Sequence, residues 1–181
     1  MSVEYYELKV AGLTRHLPIC PLNEKISIAG FVMFGDVELT VKSAEQLIKK
    51  APECDIIVTA ESKGIPLAYE MARQLGLRYI VVRKMHKLYM AEPFKVDVKS
   101  ISTEKVQTLY LDGNEAKLLK DKRVLVVDDV ISTGESLQAI DVLVKKAGGN
   151  IVGQCAVLAE GDAAKRDDIF FLEELPLIFN D

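Results

Sequence analysis

The 181-residue chain has no tryptophan, two histidines and three cysteines, and no excess of positive charge. Cys20, Cys54 and Cys155 are odd in number and scattered without metal-site spacing, which argues against a disulfide framework or a zinc centre and points to a reducing cytoplasm. His16 and His86 have no spacing suited to a metal or a catalytic triad; His16 reads as structural and His86 is a candidate lid residue. A net charge of -4 argues against a nucleic-acid surface as the main function. No apolar run approaches the ~18 residues of a membrane span, and the N-terminus shows no basic-then-apolar signal pattern. A Gly-x-x-x-x-Gly-Lys phosphate loop is also missing, as are repeats and Ser/Pro-rich linkers. What remains is 49% hydrophobic and 28% charged, the composition of one globular domain spanning residues 1–181.

The most informative stretch runs from Arg123 to Ser136. Val124-Leu125-Val126-Val127 is a short run of apolar residues, three of them β-branched, that reads as a strand buried on both faces. It ends in Asp128 and Asp129, at the place where parallel sheets carry their sites. Val130 and Ile131 lead into the small turn Ser132-Thr133-Gly134, after which Leu137, Ile140, Val144 and Ala147 repeat at helical spacing up to Gly148-Gly149. Free N–H groups and the positive end of a helix dipole suit a phosphate monoester, with Ser132, Thr133 and Ser136 as hydroxyl donors. Two carboxylates are the wrong sign for phosphate but accept hydrogen bonds from a diol. A ribose 5-phosphate satisfies both halves. Glu135, in the first helical turn, is expected to face solvent, because turned inward it would repel the phosphate.

This stretch resembles the phosphoribosyl pyrophosphate (PRPP) signature of the type I phosphoribosyltransferases: hydrophobic strand, Asp-Asp, then a Thr-Gly turn. The resemblance implies an α/β fold, a parallel five-stranded core sheet flanked by helices with a small hood built from residues 1–40. It assigns the ribose hydroxyls to Asp128 and Asp129 and the 5-phosphate to Val130, Ile131, Ser132, Thr133, Gly134, Glu135 and Ser136. Ile56-Ile57-Val58 reads as a second buried strand, followed by Glu61-Ser62-Lys63-Gly64 and a helix with Pro66 at its start and Gly76 at its end. Ile80-Val81-Val82 is a third, ending in Arg83-Lys84. In the family the loop after the first core strand holds pyrophosphate, often through a non-proline cis peptide. That role falls on Glu61, Ser62, Lys63 and Gly64, with Ser62–Lys63 the candidate cis bond, and on Arg83 and Lys84.

The remaining segments are less regular. Tyr5 to Val10 reads as a strand, Pro18 and Pro21 interrupt the chain after it, and a short amphipathic helix runs from Thr40 or Ser43 to Lys50. Residues 85–105, with Lys87 among them, contain no helix; they match the family loop that closes over PRPP and excludes water. Lys105 to Leu111 alternates like a hairpin arm, Ile151 to Leu158 and Ile169 to Leu172 read as strands, and Pro176 to Phe179 as an apolar tail. Lys165-Arg166-Asp167-Asp168 reads as a solvated bend.

The resemblance is strongest to adenine and other purine enzymes, so the expected reaction is transfer of the 5-phosphoribosyl group from PRPP to a purine, adenine first, with Mg²⁺ held through PRPP near the two aspartates and no direct protein ligand. Xanthine, hypoxanthine and guanine stay open, because Lys63-Gly64-Ile65 stands where adenine enzymes carry Arg-Gly-Phe. Ile28 and Phe31 of the hood are candidate base contacts. No nucleic acid or membrane is expected as partner; the apolar N-terminal segment and tail suggest a homodimer. A non-catalytic PRPP-binding regulator is the alternative: Val106-Gln107-Thr108 resembles the phosphoribosyltransferase-like domains of purine-responsive bacterial regulators, though the sequence shows no helix-turn-helix.

Overall fold

A computed structural model describes residues 4–99 and 106–180. In chain order its strands and helices are β1 (Tyr5–Val10), β2 (Leu13–Pro21), β3 (Ile26–Ala29), α1 (Val37–Lys50), β4 (Ile56–Ala60), α2 (Ile65–Leu75), β5 (Arg78–Val82), β6 (Phe94–Lys99) and β7 (Val106–Leu111). The chain continues through α3 (Gly113–Leu119), β8 (Arg123–Ile131), α4 (Glu135–Lys146), β9 (Asn150–Glu160), a 3₁₀ turn at Gly161–Lys165, β10 (Phe170–Leu175) and β11 (Leu177–Phe179).

The core is a five-stranded parallel sheet in the order β10-β9-β8-β4-β5. Its central strands have no solvent face: every residue of β4 is buried, as are Val124 to Val127 of β8. That is why they read as continuous apolar runs rather than as alternating ones. Side chains alternate between two cores. Ile57, Leu125 and Val127 pack with α1, α2 and the hood, while Ile56, Val58, Val124 and Val126 pack with α3 and α4. Phe94, on the β6–β7 hairpin, packs against the second core and beneath the Lys146 ammonium, 5.4 Å from its ring centroid.

The hood is a four-stranded antiparallel sheet in the order β1-β2-β3-β11. It draws on both ends of the chain, since Leu177 pairs with Ile28 and Ser27 Oγ lies 2.9 Å from Asn180 Oδ1. The hood expected from residues 1–40 is present in β1, β2 and β3, and this pairing adds β11 from the other end of the chain. Pro18 does not break the chain. It lies inside β2 where the β2–β3 ladder ends, so its missing N–H costs no ladder bond while its carbonyl accepts from Gly30 N at 2.8 Å. Helix α1 starts earlier than expected because Asp36 caps it, accepting from Leu39 N at 3.0 Å. Strand β6 and helix α3 were not foreseen; α3 is capped by Asp112, which accepts from Asn114 N at 2.8 Å. Among the described residues no helix is long and apolar enough to cross a membrane.

Asp36 also ties the hood to the core, because Arg15 of β2 donates to it through Nε at 2.6 Å and Nη2 at 3.1 Å. Replacing Asp36 by Ala removes cap and bridge together and should lower unfolding free energy by about 1–2 kcal/mol. Asp36→Asn keeps the cap acceptor and should lose about half of that in urea titration. Equal losses for both variants would show that the cap contributes nothing.

Candidate active site

Strands β4, β5, β8 and β9 all end at one edge of the sheet, and the expected site residues gather there. After Ala60 the chain reverses at once. Glu61 N donates to Val82 O at 2.9 Å, and its carboxylate accepts from Lys84 N at 2.9 Å and pairs with Arg83 Nη2 at 3.0 Å. These bonds, the Lys84 N–H first, hold the Glu61 carboxyl below its ordinary pKa. Glu61 thus fixes the end of β5 and aims Arg83 rather than facing the cleft as a free acid. Arg83 is anchored from a third side by two 2.8 Å backbone bonds with Tyr110, and its Nε is buried with no hydrogen-bond partner among the described residues.

A non-proline cis peptide is present, between Glu61 and Ser62. The expected position, Ser62–Lys63, is therefore corrected by one bond: Glu61 is pinned by strand and side-chain bonds, so the reversal falls immediately after it. Gly64 follows, pressed against β8. A Cβ there would lie 2.6 Å from Thr59 Oγ1, 2.9 Å from Asp128 Oδ1 and 3.1 Å from Asp128 Cα. Only glycine lets the two loops approach this closely.

The approach puts Lys63 Nζ 3.3 Å from Asp129 Oδ2. Asp129 is 3% exposed, and that oxygen is buried without a hydrogen bond among the described residues, so its contact with Lys63 is Coulombic. Asp128 Oδ1 accepts from Asp129 N at 2.8 Å. Burial, and next the neighbouring Asp129 charge, push the Asp128 carboxyl up to about 7. Among the described residues no group of three or more His, Cys, Asp or Glu is placed to hold a metal ion by itself.

Strand β8 does not stop at the acidic pair, as its sequence suggests, but runs on through Val130 and Ile131, which still pair with β9; Ser132 and Thr133 are then exposed, and Gly134 takes a left-handed φ of 78° before α4 begins at Glu135. The turn thus leads into the first turn of a twelve-residue helix, as its sequence predicts. Lys87 adds its charge near Glu61 from the segment after β5. Residues 100–105 of the expected lid lie outside the described residues. In the hood, Ile28 is half-buried in the β2–β3–β11 ladder and Phe31 is buried against the core.

Two residues that sequence reasoning left aside also face this edge. Glu160, at the end of β9, is half-buried; burial raises its pKa against the opposing charge of Lys63. Arg166, expected in a solvated bend, packs its guanidinium over Gly134. Neither carries a local signal, since both acquire their surroundings only when β9 pairs with β8.

An acid with a higher pKa folded than unfolded binds its proton more tightly in the folded chain, so stability should fall as pH rises from its ordinary 3.8 towards about 7. Asp128→Asn removes that loss. The variant should melt about 4 °C or more above the parent at pH 8, with the difference closing towards pH 4. A gap independent of pH, read by calorimetry, would contradict the assignment.

Comparison with known proteins agrees with this geometry. The phosphoribosyl transferase domain model matches residues 38–177. A hypoxanthine/guanine phosphoribosyltransferase of Methanotorris igneus is 36% identical over 149 residues, 81% of this chain and 74% of the relative. An adenine phosphoribosyltransferase of Thermotoga sp. (strain RQ2) is 38% identical over 100 residues, 55% of this chain and 56% of the relative. The chain thus spans from about half to three quarters of the length of the curated relatives it matches. The crystal structure of adenine phosphoribosyltransferase from Thermoanaerobacter pseudethanolicus superposes with a TM-score of 0.72 at 22% identity, over 87% of this chain and 95% of that one. With a family model that matches most of its length, and a relative 36% identical over 81% of it, the chain belongs to the phosphoribosyl transferase domain family.

Proposed function

We propose that this chain is a purine phosphoribosyltransferase that moves the 5-phosphoribosyl group of PRPP onto a ring nitrogen of a purine, adenine first, releasing pyrophosphate. The observation that carries the proposal is the seating of Gly64 on Asp128 with Lys63 beside Asp129: a cationic, N–H-bearing loop and an acidic pair share one cleft. A sugar bearing pyrophosphate at one end needs both at that separation. The family match and relatives named for adenine and for hypoxanthine/guanine support the reaction class.

Asp128 and Asp129 accept the ribose 2- and 3-hydroxyls, and their negative charge favours the oxocarbenium character that develops as the anomeric C–O bond breaks. Lys63, Gly64, Arg83 and Lys84, with Glu61 and Ser62 shaping the loop, receive the departing pyrophosphate. The orphaned Arg83 Nε is one donor already desolvated for that purpose. The 5-phosphate takes the turn from Val130 to Ser136, where N–H groups open the helix. Lys87 lies on the segment proposed to close over the substrate and exclude water. The orphaned Asp129 oxygen and the adjacent Asp128 would suit a hydrated Mg²⁺ held through PRPP, which would supply neutralisation of pyrophosphate charge. The base lies towards the hood, with Ile28 and Phe31 on that side. Exposed Val32, Phe34, Val37 and Tyr69 support a homodimer, and the three cysteines, all free, support a cytoplasmic setting.

Pyrophosphate release from PRPP and Mg²⁺, with adenine, hypoxanthine, guanine and xanthine supplied singly, tests the proposal. Base-dependent turnover is expected, with adenine giving the highest kcat/KM; a higher value for guanine or hypoxanthine would move the substrate but keep the reaction. PRPP binding without turnover on any base would make the chain a PRPP-binding regulator instead.

A further inference from the structure

The turn assigned to the 5-phosphate is short of positive charge. Residues 130–136 contain no lysine, arginine or histidine, and their one ionisable side chain is the carboxylate of Glu135. A phosphate monoester carries about -1.5 to -2 charges near pH 7, while a helix N-terminus supplies about +0.5. Backbone donors alone leave such an anion under-neutralised.

Arg166 brings the missing charge from another element. It follows the 3₁₀ turn at Gly161–Lys165, and its guanidinium lies on Gly134: a Cβ built on that glycine would be 3.6 Å from Arg166 Cζ and in collision with Nη1. The left-handed φ favours glycine there, and the guanidinium occupies the space that a Cβ would take. Asp168 takes the other two nitrogens, accepting from Nε at 2.8 Å and Nη2 at 2.7 Å. The fork is thus oriented with Nη1 towards the turn. Asp168 is 59% exposed on its side chain, so the pair is a weak surface bridge that orients the guanidinium without locking it.

We propose that Arg166, oriented by Asp168, is the cation of the 5-phosphate site and donates through Nη1 to a phosphate oxygen bound on the Ser132–Ser136 turn. This rests on the PRPP reading above.

Calorimetric binding of three probes, ribose 5-phosphate, Mg·PRPP and Mg·pyrophosphate, tests the proposal on the parent and on Arg166→Gln, Arg166→Lys and Asp168→Asn. Loss of one charge-assisted bond should weaken ribose 5-phosphate and PRPP about 10- to 100-fold in Arg166→Gln, with pyrophosphate affinity unchanged. Arg166→Lys should fall between, and Asp168→Asn should lose only a few-fold, on the same two ligands. If Arg166→Gln does not fold, the lysine variant decides: selective weakening on the phosphorylated sugars supports the role, and unchanged affinity overturns it. Equal weakening of all three probes would make Arg166 structural and overturn the proposal. A parent protein that binds none of the probes would instead overturn the PRPP reading itself, whereas a parent that binds them and an Arg166→Gln variant that binds them equally well would remove Arg166 alone.

Discussion

The close approach of Gly64 to Asp128 is the constraint on which the site depends. Strands β4 and β8 are neighbours in the sheet, so the loops that leave them must pass each other within one strand spacing. No side chain fits between them, with Thr59 Oγ1 on one side and the β8 backbone on the other. Because glycine allows the passage, an ammonium at Lys63 and a buried carboxylate at Asp129 meet at 3.3 Å, and polar groups of opposite character share one cleft. Glu61 continues the arrangement sideways. By accepting from Lys84 N and pairing with Arg83 it joins the end of β5 to the same loop, so three strand ends form one unit.

The electrostatics arise from where these strands end. Asp128 and Asp129 lie near the end of β8, a strand with two dry faces, so neither charge is well solvated, and burial raises the Asp128 pKa towards 7. A cleft that holds an acid in this state is poised for a ligand carrying cationic charge or hydroxyl donors. An oxocarbenium-like sugar provides both. Hydrophobic cores on the two faces of the sheet hold the strand ends in place, so the polar residues at the edge need no rigidity of their own.

Much of this was legible in the sequence, for physical reasons. A strand buried on both faces must be apolar without interruption, and Val124 to Val127 and Ile56 to Val58 announce themselves by that. The turns after them are read from small and hydroxyl residues before helical spacing, and both helices begin there. The hood was half legible: β1 was foreseen, but Pro18 hid β2, and the pairing of β11 with β3 joins residues some 150 positions apart, which no local pattern encodes. The cis peptide was foreseen in the right loop and misplaced by one bond, since the bonds that pin Glu61 come from β5 and from Lys84. Arg166 illustrates the limit most plainly. In Lys165-Arg166-Asp167-Asp168 it has the composition of a solvated bend, and only the pairing of β9 with β8 brings it to Gly134.

On the proposed reading, the two loops form one site for one molecule bearing a 5-phosphate and a pyrophosphate. Competition calorimetry in the presence of Mg²⁺ tests it most directly: the protein is first saturated with ribose 5-phosphate and pyrophosphate together, then titrated with PRPP. One equivalent of PRPP is expected to displace one equivalent of each. PRPP binding that leaves either ligand in place, or pyrophosphate binding unaffected by PRPP, would show two independent sites and contradict it.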